Sequence, residues 1–283
     1  MKRIRLRFRS RSPSSRAPIA IHTKLEPVPG DLIFRCNICG TIGLLQLDRL
    51  LRETVSCSGC ASTPRARAVI DLLTRELTGQ RLSLPDLAPR ADIRGLGLSD
   101  SDNCASRLEK KFAYHNTYFH REPYLDIAGE IPPDQMAAYD FVISSEVFEH
   151  VLPPIDRAFA NVFKLLKPGG LLLLTVPYGM QPETIEHFPD LYDFTITETS
   201  GCYQLINRTR QGVIQKFDHL KFHGGPGTTL EMRLFAEADL LRRLRVAGFI
   251  DVRIRRDICF EYGIWWEQPW SWPLSARRPK CQK

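Results

Sequence analysis

The chain has 283 residues, 43% hydrophobic and 25% charged, which excludes a fibrous or wholly disordered protein and suffices for one sizeable domain with a small appendage. Its longest apolar run, GLLLLTVPY from Gly170 to Tyr178, falls far short of the roughly 20 residues a membrane-spanning helix requires. The net charge of +7 resides in the first 16 residues, MKRIRLRFRSRSPSSR, which hold seven basic side chains and no acid, so the rest of the chain carries 32 charges of each sign.

That leader has no apolar core and does not read as a secretory signal; a solvated basic arm over residues 1–30 is expected, in a cytoplasmic protein. A balanced remainder argues against a nucleic-acid partner for the folded part. Next come CNIC (Cys36, Cys39) and CSGC (Cys57, Cys60), with 17 residues between the pairs. This is zinc-ribbon spacing, because two thiolates on a tight turn reach one tetrahedral ion and two such turns close its shell. A closed four-sulfur shell has no open position, so the predicted Zn2+ is structural; two disulfides or a redox pair are the alternatives. The apolar stretch between the pairs favours a ribbon, over 31–62, that braces a neighbour or walls a substrate site.

In STPRARAVIDLLTREL, Ser62 or Thr63 caps a helix with Pro64 in its first turn, and Ala66, Val69, Ile70, Leu73 and Leu77 recur at helical spacing. RADIRGLGLSDSD then predicts a strand near Asp92–Leu96, a glycine-bearing loop, and a helix near Cys104–Phe112. YDFVISS (Tyr139–Ser145) reads as a buried strand, PPIDRAFANVFKLL (Pro153–Leu166) as an amphipathic helix, and GLLLLTVP as a further strand set off by PGG. Near the end, EADLLRRLRVAGFIDVRIRR gives a helix stopped by Gly248 and a strand from Phe249. Apolar strands alternating with amphipathic helices imply a mainly parallel sheet covered on both faces, with its ligand at the carboxyl ends of the strands.

The forty residues YDFVISSEVFEHVLPPIDRAFANVFKLLKPGGLLLLTVPY resemble the fourth-to-fifth-strand region of class I S-adenosylmethionine-dependent methyltransferases of the type 11/12 kind, and a weaker correspondence runs from Ala91 to Asp257. The resemblance implies a Rossmann-like seven-stranded α/β sheet over 63–260 that binds S-adenosyl-L-methionine. It puts Gly95, Gly97 and Ser99 under the methionine part of that cofactor, Asp126 at the adenine, and Ser144, Ser145 and Glu146 along it. The usual acid before the glycine loop and the third glycine are missing. The acid that ordinarily holds the ribose is missing too, leaving Tyr118 or His120 in its place.

Glu146, Glu149 and His150 are spaced to share one face of a helical turn. Two carboxylates and an imidazole are adequate ligands for a divalent ion, but the same side chains can simply cap and pack the turn, and that is the expectation. The segment 178–230, an insertion after the fifth strand, would form a substrate lid. Of its histidines, His187, His219 and His223, the last stands beside paired glycines in FHGGPGTTLEMR and is the favoured general base, with His150 and Glu149 as the other catalytic candidates. Residues 261–283 hold all four tryptophans and are expected to pack on the domain as an aromatic tail. The order ribbon, methyltransferase, FHGG-G-TLEMR is similar to a group of bacterial methyltransferases associated with cell-surface polysaccharide genes. That similarity implies O-methylation of a small hydroxylated metabolite, a sugar or a sugar nucleotide. An RNA methyltransferase, or a binding module without catalysis, is the alternative.

Overall fold

The computed structural model describes residues 30–225 and 227–280; the expected basic tail, Gly30 apart, lies outside the described residues, as does Cys281. The chain opens with a hairpin of β1 (Asp31–Arg35) and β2 (Ile42–Gln46), paired antiparallel. Helix α1 (Pro64–Thr78) follows, with Pro64 in its first turn and the Thr63 hydroxyl accepting from the Ala66 amide at 3.2 Å. The side-chain cap fixes the start of the helix at the second of the two expected residues.

The central sheet then builds through β3 (Arg90–Leu98), α2 (Asp102–Glu109), β4 (Phe112–Thr117), β5 (Tyr139–Ser145), α3 (Asp156–Leu165) and β6 (Leu166–Thr175). The insertion holds β7 (Tyr178–Gly179), β8 (Ile185–Glu186), β9 (Asp193–Thr199), β10 (Cys202–Arg208), β11 (Ile214–Phe217), β12 (Phe222–His223) and β13 (Thr229–Leu230). The chain closes with β14 (Arg233–Ala236), α4 (Glu237–Val246), β15 (Ile250–Ile254) and β16 (Leu274–Arg277).

The large sheet has the order β15-β16-β6-β5-β3-β4. Strands β4, β3, β5 and β6 pair in parallel, and β16 runs antiparallel to both of its neighbours. The mainly parallel α/β class expected from the alternation is thus present, with six strands among the described residues where seven were expected. After β4 the chain makes only an isolated bridge between Tyr118 and Tyr124 in place of a further edge strand. Successive residues of the inner strands serve opposite faces. Phe141, Ile143, Leu171 and Leu173 pack with α1, α2 and the ribbon, whereas Val142, Leu172 and Leu174 pack with α3 and α4.

Two expectations change. β3 starts earlier and ends later than predicted, so Gly95 and Gly97 lie inside a strand and the loop proper is Ser99–Ser101. The segment expected as a packed tail instead supplies β16, which pairs Leu274–Arg277 with Leu171–Leu174 of β6, so the domain extends past residue 260. Its short apolar alternation, Leu274 and Ala276 buried toward α3 and α4, is overshadowed in the sequence by the tryptophans before it.

The ribbon shares a core with the sheet: Phe34, Cys36, Ile38 and Leu50 belong to the same buried cluster as Val69, Ile70 and Leu73 of α1 and Leu108 of α2. The insertion has a small core of its own, Phe188, Leu205, Leu230 and Met232, beneath the antiparallel β9-β10-β11 meander. Among the described residues no helix is long and apolar enough to cross a membrane.

Candidate functional site

The four cysteines converge as the spacing requires. Cys36 and Cys60 sulfurs lie 3.6 Å apart and those of Cys39 and Cys57 3.4 Å apart, and all four sulfurs fall within 4.8 Å of one another. The edges of a zinc tetrathiolate with bonds of ~2.3 Å are about 3.8 Å long, so the donor set fits a tetrahedral ion. None of the four is in a disulfide. Arg67, fully buried, stands next to this cluster: its guanidinium donates to Ser56 Oγ at 2.9 Å and Gly263 O at 2.7 Å, and it covers the Phe34 ring at 4.6 Å. Burial lowers the Arg67 pKa and the surrounding cysteine sulfurs oppose that shift. A buried guanidinium beside thiolates supplies the countercharge that such a centre needs.

At the carboxyl ends of β3 and β5 lies a cavity of about 320 Å³, lined among others by Arg65, Ser99, Asp100, Ser101, Cys104 and Ser145. Ser99 takes a left-handed conformation, φ 60°, and its amide donates to Thr117 O at 2.7 Å, which turns the chain away from the strand. Asp100 accepts from the Tyr114 hydroxyl, and Asn116 bridges the Asp100 backbone with bonds of 3.1 and 2.8 Å. Burial pushes the Asp100 carboxyl up to about 6. A side chain at Gly97 would meet Tyr114 Oη at 2.2 Å and Asn116 Oδ1 at 2.5 Å, so glycine there makes room for this network.

Across the cavity, Arg65 forks onto Glu53 of the ribbon at 2.7 and 2.8 Å and also reaches the Ser145 hydroxyl. Arg52, also from the ribbon, donates to Glu146 at 2.8 Å. Burial raises the Glu146 carboxyl, but the charges of Arg52 and Arg65 prevail and hold it below the usual range. Glu146 has φ 56°, an uncommon backbone state for a side-chain-bearing residue, at the turn out of β5.

One turn further, the 3₁₀ segment Phe148–His150 carries Glu149, which is 0% exposed. Neither of its carboxylate oxygens has a hydrogen-bond partner among the described residues, and burial, with Glu146 nearby, raises its pKa well above the usual carboxylate range. His150 Nε2 stands 3.5 Å and His223 Nδ1 3.8 Å from Glu149 Oε1. The insertion supports these rings: His150 Nδ1 bonds to Leu230 O at 2.9 Å, and His223 Nε2 to Glu231 Oε2 at 2.7 Å. Glu231 takes His187 Nε2 on its other oxygen at 2.7 Å. Burial raises Glu231, but the bonds from His187 and His223 outweigh it and hold the acid well below its usual range. Arg233, fully buried, binds Phe148 O at 2.9 Å and Val151 O at 2.7 Å and so pins the turn from both sides.

The fold therefore brings Ser99 and Ser145 to one cavity, with Gly97 beneath it, and gathers Glu149, His150 and His223 at the next turn. Of the other expected residues, Glu146 stands 3.8 Å from Arg65, which lines the cavity, and the rest lie outside both places. Gly95 is in mid-strand, where an added Cβ would strike the Phe141 ring at 2.2 Å. Ser144 is wholly buried, and its hydroxyl has no hydrogen-bond partner among the described residues. Tyr118 donates to Asp102 at 2.8 Å under Arg121, and Asp126 Oδ1 accepts from the Ala128 amide at 2.8 Å to close a turn. His219 is exposed and outside the cluster. Arg52, Arg65, Glu231 and Arg233 were missed. Arg65 carried a signal, since a cation in the first turn of a helix opposes the helix dipole and calls for acidic partners.

A family model described as a methyltransferase domain matches residues 86–253. Among solved structures, the chain is similar to an S-adenosylmethionine-dependent methyltransferase from Clostridium acetobutylicum, with 11% identity, 77% of this chain and 91% of that one covered, and a TM-score of 0.43. It is also similar to CalS10, an amino pentose methyltransferase from Micromonospora echinaspora, with 16% identity, 77% and 92% coverage, and a TM-score of 0.40. A highly reducing polyketide synthase from Hypocrea jecorina is 36% identical over 139 residues, 46% of this chain and only 5% of that protein.

Proposed function

The chain belongs to the methyltransferase domain family, and on that premise we propose that it methylates a hydroxyl of a small molecule, a sugar or a related metabolite, with S-adenosyl-L-methionine as donor. The observation that carries the hydroxyl assignment is the pair of imidazoles beside Glu149. His150 directs Nδ1 at a carbonyl and His223 directs Nε2 at Glu231, so each ring, in its neutral form, presents a bare nitrogen on the other side. A bare imidazole nitrogen held in one orientation is the group that accepts a hydroxyl proton near neutral pH.

The cavity beside the β3 turn suits the cofactor's amino-acid end, because a guanidinium, Arg65, and a carboxyl, Asp100, both line it. S-adenosylmethionine supplies a methyl group on a cationic sulfur. Arg65 would bind the carboxylate and Asp100 the ammonium, and Ser145 would border the approach from β5. The Zn2+ held by Cys36, Cys39, Cys57 and Cys60 would keep the ribbon folded, and with it the Glu53 partner that orients Arg65. Its closed shell assigns it no part in the chemistry.

The test is a methyl-transfer screen with labelled cofactor over sugar nucleotides, free sugars and phenols, paired with calorimetry. His223→Ala is expected to lower turnover about 100-fold or more while cofactor affinity stays within twofold. Absence of cofactor binding at ~1 mM, or transfer to RNA with no transfer to hydroxylated small molecules, overturns the reading.

A further inference from the structure

We propose that Glu231 makes His223, and not its neighbour His150, the base that takes the acceptor's proton, and that His187 holds Glu231 to that task. Glu231 and His187 are positioning residues, and their role rests on the reading of the protein as a hydroxyl-directed methyltransferase. The backbone brings the three side chains together. β12 and β13 form a two-stranded hairpin with His223 opposite Thr229, and the Glu231 amide extends it by donating to Lys221 O at 2.8 Å. On the other side the His187 amide donates to Met232 O at 2.9 Å, next to the antiparallel pair Glu186 and Arg233. Three short extended segments thus set the carboxylate between the two rings.

Glu231 is buried, and each of its oxygens takes one imidazole Nε2 at 2.7 Å, His187 on Oε1 and His223 on Oε2. Burial works against its charge, but the two bonds outweigh burial and keep it ionised. An ionised carboxylate only accepts, so both rings give it an N–H. With Oε1 taken by His187, the carboxylate cannot turn away from His223 without losing a charge-assisted bond. His223 is therefore confined, when neutral, to one tautomer, with its proton on Nε2 and a lone pair on Nδ1. Lys221, 3.5 Å from Oε1 and 62% exposed, adds a weaker contact that water screens.

His150 lacks such a partner. Its Nδ1 meets the Leu230 carbonyl, a neutral acceptor, at 2.9 Å, and its side chain is the more buried of the two, 13% exposed against 35% for His223. Burial lowers the His150 pKa. The two rings stand edge to face at 4.6 Å, so a proton on one disfavours a proton on the other, and the ring backed by a carboxylate is the one that takes it. Glu149 faces both, 3.5 Å from His150 Nε2 and 3.8 Å from His223 Nδ1, and so does not choose between them. In the transfer, the acceptor oxygen bonds to the methyl carbon, the carbon–sulfur electron pair stays on sulfur, and the hydroxyl proton goes to His223 Nδ1. The imidazolium so formed lies against the Glu231 carboxylate until its proton passes to water.

Two measurements on the full chain test this. Nitrogen-15 NMR of the histidine rings, with His223 assigned by the signals lost in His223→Ala, reports the tautomer without any substrate. The parent is expected to show neutral His223 protonated on Nε2 and bare on Nδ1. In Glu231→Gln the carboxamide has one acceptor oxygen where two rings each need one, so the Nδ1–H form should appear at His223 or His187. In the methyl-transfer assay Glu231→Gln should lower kcat about tenfold or more, with KM and cofactor affinity within twofold. His150→Asn, whose amide can still donate to Leu230 O, should lose less turnover than His223→Ala. A parent His223 with its proton on Nδ1, unchanged tautomers or unchanged turnover in Glu231→Gln, or His150→Asn as damaging as His223→Ala overturns the proposal. The expected tautomers in a protein that methylates no hydroxyl uphold the positioning by Glu231 and overturn only the hydroxyl acceptor.

Discussion

Asp100 illustrates what a single side chain does at the cavity. It sits after β3 with a Tyr114 hydroxyl as donor, yet burial raises its carboxyl from 3.8 to about 6. Between those two values the folded chain holds a proton that the unfolded chain has lost, so its contribution to stability falls as pH rises from about 4 to about 6. Asp100→Asn removes that dependence. The variant is expected to be more stable than the parent at pH 7.5, on the order of 2 kcal/mol, with the difference vanishing near pH 4. Urea melts at both pH values measure it, and an equal gap at both would sink the assignment. Gly95 makes a separate prediction. With the Phe141 ring at 2.2 Å from where its Cβ would stand, Gly95→Ala overpacks the core and should cost about 1–3 kcal/mol in denaturant unfolding.

At the scale of elements, the ribbon and α1 act as one piece. Phe34, Ile38 and Leu50 are buried against α1, and Glu53 holds Arg65 at the mouth of the cavity. Cys57→Ser removes one donor of the proposed zinc site, so it should release zinc and destabilise the chain by more than about 2 kcal/mol. It should also weaken binding of S-adenosylmethionine, because the anchor of Arg65 goes with the ribbon. Colorimetric zinc release and calorimetry test the two effects together; zinc loss with unchanged cofactor affinity would make the ribbon a brace and nothing more. The insertion and the turn after β5 are coupled in the same manner: Leu230, Glu231 and Arg233, within four residues of one another, orient His150, His223 and the Phe148–Val151 turn.

For the whole molecule, the decisive element is the last. β16 fills the gap between β6 and β15, buries Leu274 and Ala276, and places Arg277 on Glu76 of α1 at 2.8 Å. A chain ending at Trp272 leaves two sheet edges unpaired and is expected to lose its near-ultraviolet circular dichroism and to aggregate, whereas one ending at Lys280 should stay folded. A folded, soluble chain ending at Trp272 would show that the closing strand is dispensable.

By itself the sequence determined the α/β class, the four cysteines that converge in one cluster, the start of α1 to within a residue, and the strand and turn from Tyr139 to His150. Each rests on local chemistry: thiolate pairs on tight turns, a hydroxyl before a helix, apolar runs at the period of strand or helix. Only the tertiary structure decided that Gly95 serves the core, that Glu146 turns to Arg52 of the ribbon, and that His223 and Glu231 come from 70 residues or more downstream to stand over Glu149. The reason is physical: local pattern reports how a backbone bends and which face is apolar, but a site is made where side chains from separate segments meet, and no periodicity encodes that meeting.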